Sequence, residues 1–150
     1  MKLDMSCDLP CRLDQAKRAV KTLGLLNYVA SPILKFDCIE SIDSDAELEE
    51  RAYVMKTKLF GLLPLGLHTM EFSYKVSGQQ FIMRDNGHSA LCKKWDHRMI
   101  FQKIDGGVRY QDSADIQAGI FTPLVWLFGV YLYRHRQGRW KQLVKGNFQC

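Results

Sequence analysis

Hydrophobic and polar residues alternate at the start of the chain and then change to a helical spacing. Apolar side chains occupy every second position of residues 2–9, the period of a half-buried strand, and Pro10 ends it. Over residues 12–30 apolar side chains recur every three or four positions, as on one face of a helix. Gly24 predicts that this stretch is divided into two short helices, and Pro32 ends the second one.

The middle of the chain is a succession of predicted strands separated by turn signals. Residues 40–50 are acidic and rich in serine, which predicts a solvated loop. The glycines and proline of residues 61–66 predict an apolar loop, and Asp85-Asn86-Gly87 is a strong turn signal. The predicted strands are residues 33–39, 51–60, 68–76, 80–84, 95–102 and 109–116.

The last two predicted strands form the clearest pair, a hairpin around Asp105-Gly106. A two-residue turn makes His97 the diagonal neighbour of Asp112, with Cα atoms about 7 to 8 Å apart. A three-residue turn would change this register. The pairs expected from the two-residue turn are Phe101 with Tyr110, Met99 with Asp112, and Trp95 with Ile116.

A helix is predicted to close the chain. Thr122 is the expected N-cap, and Pro123 suits the first turn. Beyond Tyr133 the composition becomes basic, although apolar residues keep the helical spacing. The wide apolar face of this helix consists of Leu124, Leu127, Phe128, Tyr131 and Leu132. The element order is therefore that of an α+β fold, in which the final helix covers the apolar side of an antiparallel meander.

Charge is concentrated in this final helix. The chain has 21 Lys and Arg residues against 16 Asp and Glu, a net charge of +5. No acidic residue follows Asp115, and the whole positive excess lies after it, so that the body of the chain is neutral. This distribution argues against a protein that coats nucleic acid, and no nucleic-acid partner is expected.

Length and cysteine usage narrow the class of protein further. A chain of 150 residues suits one domain, residues 1–150, with a core of its own. The N-terminus lacks the apolar run of a secretory signal, and the longest apolar stretch, residues 120–133, is shorter than the roughly 20 residues that span a bilayer. We expect a cytoplasmic protein without metal or cofactor, because the cysteines are odd in number and unpatterned: Cys7, Cys11, Cys38, Cys92 and Cys150.

The element order resembles the SRPBCC superfamily, which includes START lipid-transfer domains, birch-pollen-allergen-like proteins and polyketide cyclases. The resemblance covers nearly the whole chain and is carried by residues 95–101, the turn Asp105-Gly106-Gly107, Asp112 and the helical segment 127–136. It implies a helix-grip fold, in which a curved antiparallel sheet of about seven strands wraps a long C-terminal helix around a hydrophobic cavity. Members bind lipids, sterols, quinones, polyketides and aromatic metabolites, and only some are enzymes, so the fold leaves the activity open.

Inward positions of the predicted strands and helix supply the candidate ligand-binding residues. They are rich in methionine, which adapts to irregular apolar ligands. A filled core would give the same pattern, but the resemblance favours a cavity that carries a hydrophobic small molecule. The candidates are Tyr53, Met55, His68, Met70, Phe72, Tyr74, Phe81, Met83, Trp95, His97, Met99, Phe101, Tyr110, Leu124, Phe128 and Tyr131.

His97 is the main candidate for chemistry. As a cyclase, dehydratase or isomerase, the protein would use His97 as acid or base, Asp112 to orient it, and Tyr110 or Tyr74 as a hydrogen-bond donor. A structural pair in which His97 and Asp112 satisfy each other is the favoured alternative, so a carrier is preferred to an enzyme. His88 and His135 are expected to face solvent.

The basic end of the chain offers a third hypothesis, contact with an anionic membrane surface. Cations that alternate with Trp140, Leu143 and Val144 are typical of a segment that lies in a lipid interface. A solvated helix end, stabilised by cations near its C-terminus, is the simpler alternative. The candidate contacts are Arg134, Arg136, Arg139, Lys141 and Lys145.

Overall fold

The computed structural model describes residues 1–148, which form one antiparallel sheet of seven strands, two short helices and a long C-terminal helix. A short 3₁₀ turn, Gly119–Phe121, precedes the long helix. This is the predicted helix-grip α+β architecture. In chain order the elements are β1 (Lys2–Leu9), α1 (Leu13–Val20), α2 (Leu23–Ala30), β2 (Leu34–Cys38), β3 (Ala52–Leu59), β4 (Leu63–Ser77), β5 (Gln80–Ser89), β6 (Lys94–Ile104), β7 (Gly107–Gln117) and α3 (Thr122–Lys145).

The strands from β2 to β7 form the predicted meander, and β1 pairs with β7, so the sheet order is β1-β7-β6-β5-β4-β3-β2. The register of the β6–β7 hairpin is also confirmed, since Phe101 lies opposite Tyr110 and Met99 opposite Asp112. Gly106 has a φ of 80° and supplies the left-handed residue that this tight turn requires. The register matters for function because it brings His97 and Asp112 to the same face of the sheet.

Two of the predicted breaks in the sheet are wrong. Asp85-Asn86-Gly87 lies inside β5, where Asp85 pairs with Phe72 on one side and His97 on the other. Strand β4 already begins at Leu63, and a register irregularity next to Lys58 accommodates the glycines and proline predicted to form a loop. Local turn propensity is overridden in both places because neighbouring strands supply hydrogen bonds that a turn would lack: β4 and β6 pair with residues 85–87 or their neighbours, and β3 alone pairs with the start of β4.

The helix boundaries also differ from the expected ones. The first two helices separate at Thr22, whose hydroxyl accepts a hydrogen bond from the Leu25 N–H, whereas Gly24 lies within α2. Gly24 is there because its amide contacts the Ser44 carbonyl, which leaves no space for a larger side chain. Thr122 is the first residue of α3 rather than its N-cap, and its hydroxyl instead binds the 3₁₀ turn through Ala118 and Gly119.

The two halves of α3 have different surroundings. In the C-terminal half, Trp140 and Leu143 are fully buried between the helix and the rest of the core. In the N-terminal half, Leu124 and Leu127 remain more than half exposed. The outer residues of the predicted apolar face, Leu124 and Leu127, line an open space instead of packing on the sheet. The sheet and α2 bury the second half of the helix, whereas the first half packs on β1 and β7 along one side and faces that open space along the other.

Close contact between α3 and the sheet depends on Gly129. A Cβ atom there would lie 2.8 Å from Ile116 Cδ1 and 3.3 Å from Leu3 Cδ2, whereas a Cβ atom at Gly138 would meet open space. We therefore expect Gly129→Leu to cost about 1 to 3 kcal/mol through overpacking. Gly138→Leu, on the same helix, should gain up to about 1 kcal/mol from helix propensity. Urea unfolding of both variants measures the difference, and equal stability would contradict the close contact at Gly129.

Candidate functional site

A cavity of about 590 Å³ lies between the sheet and the N-terminal half of α3. Strands β2 to β6 provide one wall, and α2 contributes Leu26. The walls are mostly apolar, so the cavity suits a hydrophobic molecule. The helix contributes Leu124, Val125, Leu127, Phe128, Tyr131 and Leu132, and the strands contribute Leu34, Phe36, Leu59, Leu65, Met70, Phe72 and Met99.

The predicted ligand-binding residues divide into two groups. Nine of them line the cavity: His68, Met70, Phe72, Trp95, His97, Met99, Leu124, Phe128 and Tyr131. The other seven pack elsewhere: Tyr53, Met55, Tyr74, Phe81, Met83, Phe101 and Tyr110. These seven do not line the cavity because the inward face of the sheet extends past it. Trp140 fills the space beside Phe101 and Tyr110, and the centre of its ring lies 5.4 Å from that of Phe101 and 5.3 Å from that of Tyr110.

The mouth of the cavity is apolar and open to solvent. Leu67, Leu91 and Leu124 line it and are each more than half exposed. Leu67 and Leu91 were not predicted from the sequence. The available signal was the group of apolar residues around the glycines of β4, which is typical of a segment that covers a pocket. His68 stands beside them, where Gly87 makes room for its ring; a Cβ atom at Gly87 would lie 2.6 Å from His68 Nε2.

A hydrogen-bonded network of buried polar residues lies under the cavity. Asp112 is inaccessible to solvent and accepts from His97 Nε2 at 2.8 Å and from the Tyr110 hydroxyl. Gln137 Nε2 donates to the other carboxylate oxygen of Asp112 at 3.3 Å. The predicted proximity of His97 and Asp112 is thus confirmed, and His97 lines the cavity. Tyr110 does not line it, and its hydroxyl is already bound to Asp112, so it has no position from which to donate to a ligand.

The same network sets the protonation state of His97. Burial lowers the pKa of His97, although the hydrogen bond to Asp112 opposes the shift. The imidazole is therefore favoured in its neutral form. Because Nε2 carries the proton given to Asp112, Nδ1 is left as the hydrogen-bond acceptor. His68, at the mouth, has a pKa lowered to about 4 by burial and by His88.

Two ionisable residues lie in the cavity wall that were not predicted from the sequence to lie there. Asp85, predicted to lie in a turn, is 6% exposed, and Arg136, predicted to contact a membrane, is 5% exposed. The prediction for Arg136 is wrong because its position on α3 faces the sheet. Burial raises the pKa of Asp85 well above its ordinary value, while Arg136 opposes the shift. The neutral, proton-carrying form of Asp85 is therefore favoured.

In the rest of the basic tail, the apolar residues that were predicted to enter a lipid interface are buried within the protein. Trp140, Leu143 and Val144 are buried against the protein, and the Arg139 guanidinium lies 3.9 Å from the centre of the Tyr28 ring. The cations that remain exposed are Arg134, Lys141 and Lys145. Among residues 1–148, no helix is long and apolar enough to cross a membrane.

Other candidate residues lie away from the cavity. His88 is exposed as predicted, and His135 is half-buried, with Nε2 donating to the Ser31 carbonyl at 2.7 Å. The hydroxyl of Tyr74 donates to the Leu48 carbonyl and is not free for a ligand. Four cysteines are free thiols, namely Cys7, Cys11, Cys38 and Cys92, and Cys150 lies outside the described residues.

A second depression of about 890 Å³ lies at the other end of the sheet, between α1 and the β6–β7 turn. Its lining includes the charged residues Arg12, Asp14 and Lys17, and it is open to solvent. It contains none of the predicted site residues except Phe81. The cavity under α3 is more apolar and holds nine of the predicted ligand-binding residues, so it is the better candidate site, although the second depression is larger.

Solved structures share this architecture over nearly their whole length. NE0264 from Nitrosomonas europaea is 14% identical, with a TM-score of 0.68 over 98% of this chain and 96% of that chain. A START superfamily protein from Mycobacterium smegmatis is 8% identical, with a TM-score of 0.62 over 97% of both chains. Ara h 8.0201 is 12% identical, with a TM-score of 0.62 over 99% of this chain and 97% of that chain. The chain therefore has the helix-grip fold of the SRPBCC superfamily.

Sequence comparison assigns the chain to one family. Residues 9–143 match the family model described as Domain of unknown function (DUF8410), and the chain belongs to that family. A search of curated protein sequences found no match. The fold is thus established, and the ligand has to be argued from the cavity itself.

The protonation of Asp85 gives a test of the cavity wall. Because the folded-state pKa is raised, folding takes up a proton above about pH 4, and stability falls as the pH rises toward that raised pKa. Asp85→Asn cannot ionise, so its stability relative to wild type should increase from pH 4 to pH 7, by at most about 1.4 kcal/mol per pH unit. Thermal unfolding across this range measures the difference.

Asp115→Asn is the control with the opposite sign. Lys94 lowers the pKa of Asp115, so this carboxylate stabilises the fold above its ordinary pKa and the benefit is lost as the pH falls. Relative to wild type, Asp115→Asn should be weakest at pH 7. If Asp85→Asn and wild type had parallel pH profiles, the neutral form of Asp85 would be refuted.

Proposed function

We propose that the protein binds and carries a hydrophobic small molecule in the cavity under α3. The observation that carries the proposal is a space of about 590 Å³, open at one mouth, whose walls come largely from leucine, phenylalanine and methionine side chains. A space of this size, lined mainly by apolar groups with a few polar ones, is typical of a small-molecule site. A filled core would have left no such space, because protein interiors are packed as densely as organic crystals.

Exposure at the mouth supports the same proposal. Leu124 is 67% exposed and Leu127 is 59% exposed, although both line the cavity. Apolar side chains clustered at the rim of an apolar pocket favour entry of a ligand that is poorly soluble in water. START/SRPBCC neighbours of this fold bind hydrophobic ligands, which supports a small-molecule partner of that kind.

Blocking the cavity should abolish binding of an apolar probe. Leu65 lines the cavity from β4, so Leu65→Trp adds bulk inside it. Val54→Trp, on the exposed side of β3, is the matched control. We expect the neutral dye N-phenyl-1-naphthylamine to increase its fluorescence with wild type and Val54→Trp, and to lose at least about tenfold in affinity for Leu65→Trp.

Native mass spectrometry of gently purified protein complements the dye titration, because a co-purified ligand adds a fixed mass. Equal dye affinity in the two tryptophan variants, with unchanged thermal unfolding, would refute the cavity as the site. A wild-type protein that neither binds the dye nor retains a ligand would refute the proposed function altogether.

A second candidate function is proton transfer to a bound ligand, as in a cyclase, dehydratase or isomerase. The observation that favours it is the position of His97, which lines the cavity with Nδ1 as an acceptor while Asp112 holds Nε2. His97 would be the base, and Asp112 a positioning residue that acts through the imidazole. Tyr110 and Tyr74 take no part in this version, because their hydroxyls are bound elsewhere.

Hydrogen exchange at a ketone tests the second function directly. We expect wild type to accelerate exchange of the α-protons of 2-tetralone in heavy water, and His97→Gln to lower the rate by about 100-fold or more. Asp112→Asn should lower the rate as well, because Asn can also stabilise the other tautomer of His97. Proton NMR follows the exchange, dye binding confirms an intact cavity, and His135→Gln is the control. Undiminished exchange in His97→Gln would exclude His97 as the base.

A further inference from the structure

Unpartnered buried polar atoms gather in the cavity wall. Among residues 1–148, four buried side-chain nitrogen or oxygen atoms have no hydrogen-bond partner. Three of them, Thr57 Oγ1, Asp85 Oδ1 and Arg136 Nε, belong to residues that line the cavity, and the fourth, Trp140 Nε1, does not. Since buried polar atoms are nearly always satisfied, three exceptions in one cavity indicate a partner supplied by a ligand.

Of these three residues, Arg136 most needs a partner, because it carries a buried charge. It is 5% exposed, and none of the ion pairs formed by residues 1–148 includes it. Its Nη2 donates to Met99 Sδ at 3.4 Å, a thioether that accepts hydrogen bonds weakly. A buried guanidinium normally binds a carboxylate or phosphate through several of its five N–H groups, because an unpaired buried charge is costly.

The groups around Arg136 keep it charged without satisfying it. Burial favours loss of its proton, but nearby Tyr110 and Asp112 more than offset this and raise the pKa of Arg136. The Asp112 oxygens already accept from His97, Tyr110 and Gln137. Asp85, the other acid near Arg136, favours its neutral form, so it adds an O–H donor rather than a negative charge.

We propose that the cavity binds an apolar molecule with a carboxylate head, which Arg136 and Asp85 hold at the inner end of the cavity. The guanidinium donates to the carboxylate oxygens, the Asp85 O–H donates to one of them, and the apolar tail lies along the N-terminal half of α3. The inference rests on the proposed binding function and narrows its ligand class. A neutral alcohol or ester would leave the guanidinium of Arg136 without a directly bonded acid.

A matched ligand series tests the head group. Dodecanoate, dodecanol and methyl dodecanoate have the same tail and are compared by displacement of N-phenyl-1-naphthylamine. We expect wild type to bind dodecanoate at least about tenfold more tightly than the other two, the difference made by one charge-assisted hydrogen bond. Arg136→Met should abolish this preference while it still binds dodecanol. Arg134→Met, an exposed residue on the same helix, should leave the preference unchanged.

Arg136→Lys keeps the proposal falsifiable if Arg136→Met does not fold. Lysine retains the charge but lacks the planar fork, so the preference for dodecanoate should fall several-fold. Equal binding of all three ligands by wild type, or an undiminished preference in both Arg136 variants, would overturn the carboxylate head and leave the binding function standing. Failure of wild type to bind the dye or any of the three ligands would instead overturn the binding function.

Discussion

The packing of Trp140 on the sheet is the interaction on which the rest of the structure depends. Its indole is fully buried and contacts the rings of Phe101 and Tyr110, which face each other across the β6–β7 hairpin. This contact fixes the C-terminal half of α3 to the sheet. The N-terminal half packs on β1 and β7 along one side, where Gly129 lies against Leu3 and Ile116, and its other side lies over the cavity lined by β2 to β6.

Polarity inside the protein follows from the same arrangement. Where α3 touches the sheet, Asp112 accepts hydrogen bonds from His97, Tyr110 and Gln137. These bonds connect the sheet to the helix. Where α3 separates from the sheet, the polar groups of Asp85 and Arg136 remain incompletely bonded. A fully satisfied network rigidifies the core, whereas an unpaired buried polar group costs free energy. The proposed carboxylate ligand would supply the partners that Asp85 and Arg136 lack.

Much of the fold could be predicted because the strand periods and the hairpin turn are local signals that agree with the tertiary structure. Local signals failed at Asp85-Asn86-Gly87, where neighbouring strands hold a turn-like sequence extended. For the cavity, strand alternation identified which side of the sheet faces inward but not how far α3 fills it. Arg136 was missed for a different reason: arginine is rarely buried, so its charge predicts exposure unless the depth of the helix is known.

The part of α3 between the mouth of the cavity and Arg136 has a fixed length, which sets a distance along the cavity. Twelve residues separate Leu124, which is exposed, from Arg136, which is buried, a rise of about 18 Å along the helix axis. In the proposed complex, a molecule anchored at Arg136 lies along that distance, and a longer one emerges at the mouth. In that complex, the far end of a long ligand therefore stays accessible from solvent while its head group is bound.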